Sequence, residues 1–155
     1  MRQVTIAVVA DNLDAAAAYA RISDFARYPE LTDAVLAVDL DPGQTDGSSI
    51  VSTWTVRFRK GLLCWTERDT LDPAAGTIAF TQLSGDFEVF EGTWRVSTCD
   101  GGALVEFVAG FDLGMPTLAD ILDPVAEAAL RDNILLILHG LIGDVREVEQ
   151  VTGRV

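Results

Sequence analysis

The chain has 155 residues, 49% of them hydrophobic and 23% charged, which suits one domain with a substantial core and excludes a disordered chain. Its 24 acidic against 11 basic side chains give a formal charge of −13, a field that repels phosphate backbones and anionic lipid headgroups and argues against nucleic acid as a partner. Met1 to Ala10 lacks the long apolar core of a leader, and nowhere do eighteen apolar residues run together, so a single soluble domain over 1–155 in the cytoplasm, without membrane insertion, is expected.

In chain order, Arg2 to Val9 alternates polar and apolar residues as an opening strand, and Asp11 or Asn12 is placed to cap an alanine-rich helix over Leu13 to Ile22. A second short helical piece, Asp24 to Tyr28, is expected to end at Pro29. Val35 to Asp41 reads as a strand, and Asp41-Pro42-Gly43 with Asp46-Gly47 supplies turn chemistry before a strand over Ser48 to Phe58. Further strands are predicted over Leu62 to Leu71, Gly76 to Leu83, Glu88 to Thr98 and Ala103 to Phe111. They are separated by Lys60-Gly61, Asp72-Pro73, Ser84-Gly85-Asp86 and Asp100-Gly101-Gly102, the short turns of an antiparallel meander. A basic cluster, Arg57, Arg59 and Lys60, sits near the tip of one hairpin and reads as a solvated turn.

After Gly114 and Pro116 the apolar period changes from two to 3.6, and Asp123-Pro124 reads as the N-cap and first residue of a helix running to about Glu149. Ala126, Ala129, Asn133, Ile137 and Gly140 share one of its faces, and three of the five have little or no side chain, which leaves space above the sheet. Leu135, Leu138 and Ile142 make the other side apolar as well, which indicates either a second burial surface or a homodimer contact. This order of elements is α+β. It predicts a curved seven-stranded antiparallel sheet wrapped around the long C-terminal helix, with two short helices after the first strand.

The aromatic residues point to an apolar cavity between sheet and helix. Trp54, Phe80, Phe90 and Trp94 fall at alternating strand positions and carry more bulk than closure of a small sheet requires, although these rings, with Phe58, Phe107 and Phe111, also suit a plain core. No glycine-rich phosphate loop or histidine pair is present, and Cys64, Cys99 and the lone His139 have no metal-ligand spacing. Neither cofactor nor metal is therefore expected, and the cysteines read as structural thiols.

Asp24-Phe25-Ala26-Arg27-Tyr28-Pro29-Glu30-Leu31, and Gly85-Asp86-Phe87 followed by Gly92-Thr93-Trp94, resemble segments of the START and polyketide-cyclase superfamily, whose helix-grip fold matches the predicted element order. Trp65-Thr66-Glu67-Arg68 resembles the strand of bacterial aromatase/cyclases whose arginine points into the substrate cavity, and Asn133 falls where such enzymes carry polar residues on the terminal helix. The resemblance implies Arg68 as the catalytic residue, polarising a ketone. Trp54, Thr66, Phe80, Gln82, Phe90, Trp94, Phe107 and Asn133 would form the substrate-binding wall. The segment Asp33 to Val35 lacks the tyrosine with which some aromatase/cyclases offer a phenol to the cavity.

Strand parity bears on Arg68 independently. Leu62, Cys64, Thr66, Arg68 and Thr70 share one face, and Leu63, Trp65, Glu67, Asp69 and Leu71 the other. Two neighbouring carboxylates belong in water, which turns Arg68 inward; the same parity sends Trp65 outward unless a bulge intervenes. Arginine holds its proton too firmly to be the base, and His139 lies on the flank of the helix away from Asn133. The function implied is aldol ring closure and dehydration of a poly-β-ketone, with an acyl carrier protein as a possible deliverer. The alternative is a non-catalytic binding or sequestering protein for a lipid, quinone or polyketide.

Overall fold

The computed structural model describes residues 2–58, 61–113 and 119–148. Eight antiparallel strands form one sheet: β1 (Arg2–Asp11), β2 (Val35–Asp46), β3 (Ser49–Phe58), β4 (Gly61–Asp72), β5 (Thr77–Gly85), β6 (Val89–Cys99), β7 (Gly102–Asp112) and β8 (Arg146–Glu147). Their order is β2-β3-β4-β5-β6-β7-β1-β8, a meander closed by β1 returning against β7. Between β1 and β2 lie α1 (Ala15–Ser23), a 3-10 turn (Phe25–Arg27) and α2 (Tyr28–Leu31). The long helix α3 (Ala119–Ile142) lies against the sheet, so the chain has the helix-grip arrangement expected of it.

The sheet has one strand more than the seven expected. The terminal helix stops at Ile142, where Gly143 takes φ 94°, a left-handed conformation that glycine adopts readily. The chain then turns back, and Arg146 and Glu147 pair with Val9 and Val8 of β1. Ion pairs from Arg146 to Asp11 and from Arg131 of α3 to Glu147 hold this short edge. A two-residue strand has too little alternation to be seen in a sequence. Pro124 lies inside α3 rather than at its start. Of the other expected features, Arg59, Lys60, Gly114, Pro116, Glu149 and the side chain of Asp123 lie outside the described residues.

The early helices begin later than the caps suggested. β1 continues through Asp11, paired with Gly102, and the amide of Asn12 bonds to Gly101 O, so neither residue is free to cap. Asp14 caps α1 instead, accepting from Ala17 N at 2.7 Å. Pro29 stands in the first turn of α2, where its missing N–H is no loss, rather than ending a helix.

The helix α3 buries two sides. Leu138 and Ile142 are buried, so the apolar face considered for a dimer is largely covered by the protein's own core, while Leu136 is exposed. Gly140 serves a close approach rather than the cavity. A Cβ there would stand 2.3 Å from Leu31 O, so α2 crosses α3 at a distance that only glycine permits.

Candidate functional site

The inner face of β4 is the one carrying the carboxylates. Trp65, Glu67 and Asp69 are buried, and Arg68 is exposed on the outer face, where its Nη1 donates to Ser49 Oγ at 3.2 Å. A bulge does lie beside this segment, but in the neighbouring strand. Thr66 pairs with Ser84 and Glu67 with Gln82, leaving Leu83 of β5 as the extra residue, and the alternation of β4 runs on unbroken. What turns the strand is the weight of its apolar side chains. Trp65 stands opposite Trp54 of β3, the two rings nearly parallel at 7° with centroids 6.2 Å apart. Burying an indole stabilises by an amount of the same order as sinking two carboxyls costs when those carboxyls are bonded.

The carboxyls are indeed bonded. Glu67 Oε1 accepts from Trp65 Nε1 at 2.6 Å. Asp69 Oδ2 accepts from Ser52 Oγ at 2.6 Å, and Ser52 Oγ in turn accepts from Trp54 Nε1 at 2.8 Å. The two indoles that line the site thus also hold its acids, one directly and one through a serine. Glu67 and Asp69 lie within hydrogen-bonding reach of each other, yet two carboxylates can bond only across a proton.

Burial pushes the Glu67 carboxyl well above the usual carboxylate range, and the bond and charge of Asp69 push it further. Burial raises Asp69 too, but the bonds from Glu67 and Ser52 oppose the shift. Glu67 is thus the carboxyl pushed up further by its surroundings and Asp69 the more easily ionised of the two, its Oδ1 meeting no donor outside the pair. Tyr28 is driven in the same direction, first by burial and then by the charges of Glu67, Asp69 and Asp24, and it stays a phenol, donating to Ile22 O at 2.5 Å.

Around this pair lies a cavity of about 70 Å³, lined by Phe25 and Tyr28 from the early helices, the aromatic inner face of the sheet, and Leu130, Asn133, Ile134 and Ile137 of α3. Of the residues expected to form a substrate wall, Trp54, Phe80, Phe90, Trp94, Phe107 and Asn133 come together on this cavity. Arg68, Thr66 and Gln82 do not. Thr66 shares the outer face and bonds Thr53 through their hydroxyls at 2.8 Å. The Gln82 amide clamps Phe87, donating to its carbonyl and accepting from its N–H, which sets that ring flat on Phe90 with centroids 4.4 Å apart. Asn133 reaches across the edge of the cavity to bond the carbonyl of Arg57, while its own flank borders a shallow outer groove along α3 with Pro124, Val125, Ala128, Ala129 and Asp132. His139 is exposed and away from the cavity.

Sequence reasoning missed Phe25, Tyr28, Glu67 and Asp69. The first two carried a signal, aromatic residues three apart in a short helical segment, which places both rings on one side. Tyr28 supplies a phenol from α2, where the absence of tyrosine over residues 33–35 had suggested none. Among the described residues no three His, Cys, Asp or Glu side chains gather as a metal site, and no helix is long and apolar enough to cross a membrane.

With this geometry in view, the comparisons with known proteins are specific about the fold. The structure is similar to that of TTHA0849 from Thermus thermophilus, with a TM-score of 0.81, 19% identity and 90% of this chain against 94% of that one. It is similar also to the Zhui aromatase/cyclase from Streptomyces sp. R1128, with a TM-score of 0.76, 21% identity and 92% of each chain covered. A START superfamily protein from Mycobacterium smegmatis aligns with a TM-score of 0.71 at 16% identity, over 90% of this chain and 96% of that one. No curated protein matches the chain significantly by sequence. The family model described as "Polyketide cyclase / dehydrase and lipid transport" matches residues 12–135, most of the chain, and the protein belongs to that family.

Proposed function

We propose that the protein is an acid–base enzyme of the cyclase and dehydratase type, closing a ring in a poly-β-ketone by aldol addition and then removing water, with Glu67 and Asp69 as the working pair. The observation that carries this reading is a buried pair of carboxyls on an aromatic cavity, with no cationic side chain among the described residues that line it. Asp69 takes a proton from the carbon between two ketones, the resulting enolate attacks a second carbonyl carbon, and Glu67 delivers its proton to the new alkoxide. The pair then holds its proton on Asp69. Elimination reverses the roles: Glu67 takes the remaining α-proton, Asp69 protonates the departing hydroxyl, and water leaves with the pair restored.

The other residues orient the chain. Trp54, Phe80, Phe90, Trp94 and Phe107 curve the ketone chain, and the Tyr28 phenol lies beside the pair. In this reading Arg68 has no part in the chemistry. A cavity of about 70 Å³ holds about five waters' worth of ligand, so the reacting ring fits inside and the remaining chain passes Asn133 toward the groove outside α3.

A non-catalytic binding role would use the same cavity, and the family description includes lipid transport. The two readings part on one experiment. A short poly-β-ketone is incubated with the protein and the products are followed by mass spectrometry. Many turnovers of water loss in the wild type, absent in Glu67→Gln, support the enzyme; unchanged ligand recovered in stoichiometric amount overturns it in favour of a carrier.

A further inference from the structure

The same cavity has a property that ring closure does not need. It is an aromatic enclosure with two buried carboxyls at one end, and Asp69, only 1% exposed, has an oxygen, Oδ1, that no donor outside the acid pair meets. We propose that the cavity is also a binding site for a small primary or secondary organic ammonium ion, its N–H groups meeting Asp69 Oδ1 and Glu67 and its carbon body packed among Phe25, Tyr28, Trp54 and Trp65. The proposal rests on the cavity alone and not on the cyclisation reading.

Three physical arguments converge. A buried carboxylate without a counter-charge is destabilising, and a cation that reaches it regains both the Coulomb attraction and the missing hydrogen bond. Indole and phenol faces attract cations through their ring quadrupoles, most strongly in a desolvated site. The wall is selective as well. β4 contributes Glu67 and Asp69, β3 the Ser52 hydroxyl behind Asp69, α2 the Tyr28 phenol and α3 the Asn133 amide, the indole N–H groups being taken by Glu67 and Ser52, so among the described lining residues no group carries a positive charge. At about 70 Å³ the space suits a body of one small ring.

Binding has a consequence that a merely greasy pocket lacks. An ammonium ion brings its own protons, so the one shared by the carboxyls is displaced and Glu67 ionises. Cyclopentylamine and cyclopentanol, nearly equal in size and shape, are titrated into the protein by calorimetry near neutral pH, in two buffers of different ionisation enthalpy. The amine is expected to bind at least tenfold more tightly than the alcohol and to release close to one proton per ligand, whereas the alcohol releases none. Its affinity should fall as the pH is lowered, because the pair then resists losing its proton. The Glu67→Gln/Asp69→Asn protein, checked for folding by thermal unfolding, should lose both the preference and the proton release. Equal affinities for the two ligands, amine binding without proton release, or no amine binding at millimolar concentration would each overturn the proposal, and the wild-type titrations decide it should the variant fail to fold. None of these outcomes touches the turnover measured with a poly-β-ketone.

Discussion

The two faces of β4 both carry charged side chains and meet opposite fates. Thr66, Arg68 and Thr70 stand outside with Cys64, while Glu67 and Asp69 go inside with Trp65. Counting charges alone predicts the reverse, since the face with two carboxylates seems the better suited to water. The structure teaches that a strand is oriented as a unit by its largest apolar side chains. Acids that share their face are carried inward and must then be accommodated by partners that the sheet provides. Here those partners come from the same and the adjacent strand, Trp65 for Glu67 and the Ser52–Trp54 relay for Asp69. Among the described residues the outer face has no such wiring beyond pairs at the surface, Thr53 with Thr66, Ser49 with Arg68 and Thr55 with Cys64.

If the inner face is a packed aromatic enclosure and the outer face only a solvated surface, truncation inside should be far more damaging. Phe87 is the strongest case, because it stacks on Phe90, meets Trp65 edge-on and is 4% exposed. Phe87→Ala should destabilise by about 3–5 kcal/mol in denaturant unfolding. A loss below about 1 kcal/mol would mean that Trp65 is not buried against it and that the orientation of β4 is wrong.

Closure of the inner face by α3 is probed by Gly140→Ala. In an unconstrained helix this change stabilises by about 1 kcal/mol through propensity. Here the new Cβ would meet Leu31 O at 2.3 Å, a backbone atom that cannot swing away, so a net loss of about 1–3 kcal/mol is expected. Because Ile137, within one turn of Gly140 on α3, lines the cavity, the same variant should also weaken the binding of whatever ligand the cavity holds. A stabilised Gly140→Ala protein would show that α2 and α3 are not in contact.

Glu67→Gln asks whether the inner acids are accommodated or merely tolerated. Gln keeps the acceptor for Trp65 Nε1 and offers Asp69 a permanent donor, replacing a proton that rising pH removes. The sign follows from linkage. A carboxyl raised above its unfolded value binds more protons in the folded state, so its contribution is present below the unfolded value and is lost as the pH rises through the folded one. Wild-type stability should therefore decline from about pH 5 upward through the raised range of Glu67, beyond what the acidic surface causes. Glu67→Gln should flatten that slope and gain about 1–3 kcal/mol at pH 8. Parallel stability curves for the two proteins would mean that Glu67 is not held protonated.

The strand meander was legible because its turns announce themselves: Ser84-Gly85-Asp86 and Asp100-Gly101-Gly102 mark where one alternating run gives way to the next, at the end of β5 and the start of β7. Six of the cavity residues, among them Trp54, Trp94 and Asn133, were legible for a related reason, since strand parity and helix spacing assign faces before contacts are known. The acid pair was not. Leu63, Trp65 and Leu71 already favoured their own face over Leu62 and Cys64, but the rule that carboxylates stay in water outweighed that count. What defeats the rule is a set of donors on the inner face, Trp65 for Glu67 within β4 and the Ser52–Trp54 relay for Asp69 from β3, the second of which exists only once β3 and β4 are paired in register. Strand β8 escaped for the opposite reason, being made by a turn after Gly143 and by ion pairs rather than by any periodic pattern.

The smallest expected effect is the most direct test of the outer face. Arg68 is exposed and makes one side-chain bond at 3.2 Å to a serine, so Arg68→Ala removes a solvated guanidinium from a surface that has no ligand to meet it. Surface substitutions of this kind stay within about 0.5 kcal/mol, and ring closure or ligand affinity should be unchanged within error. The aromatase/cyclase resemblance that made Arg68 the first choice for chemistry requires the contrary, a loss of turnover with stability intact. For Arg68 to act, β4 would have to rotate its alternation by one residue, carrying Trp65 away from Trp54 and both carboxyls into water. A turnover defect in Arg68→Ala would thus contradict the Glu67–Asp69 site as well, and the two faces of this one strand are decided together.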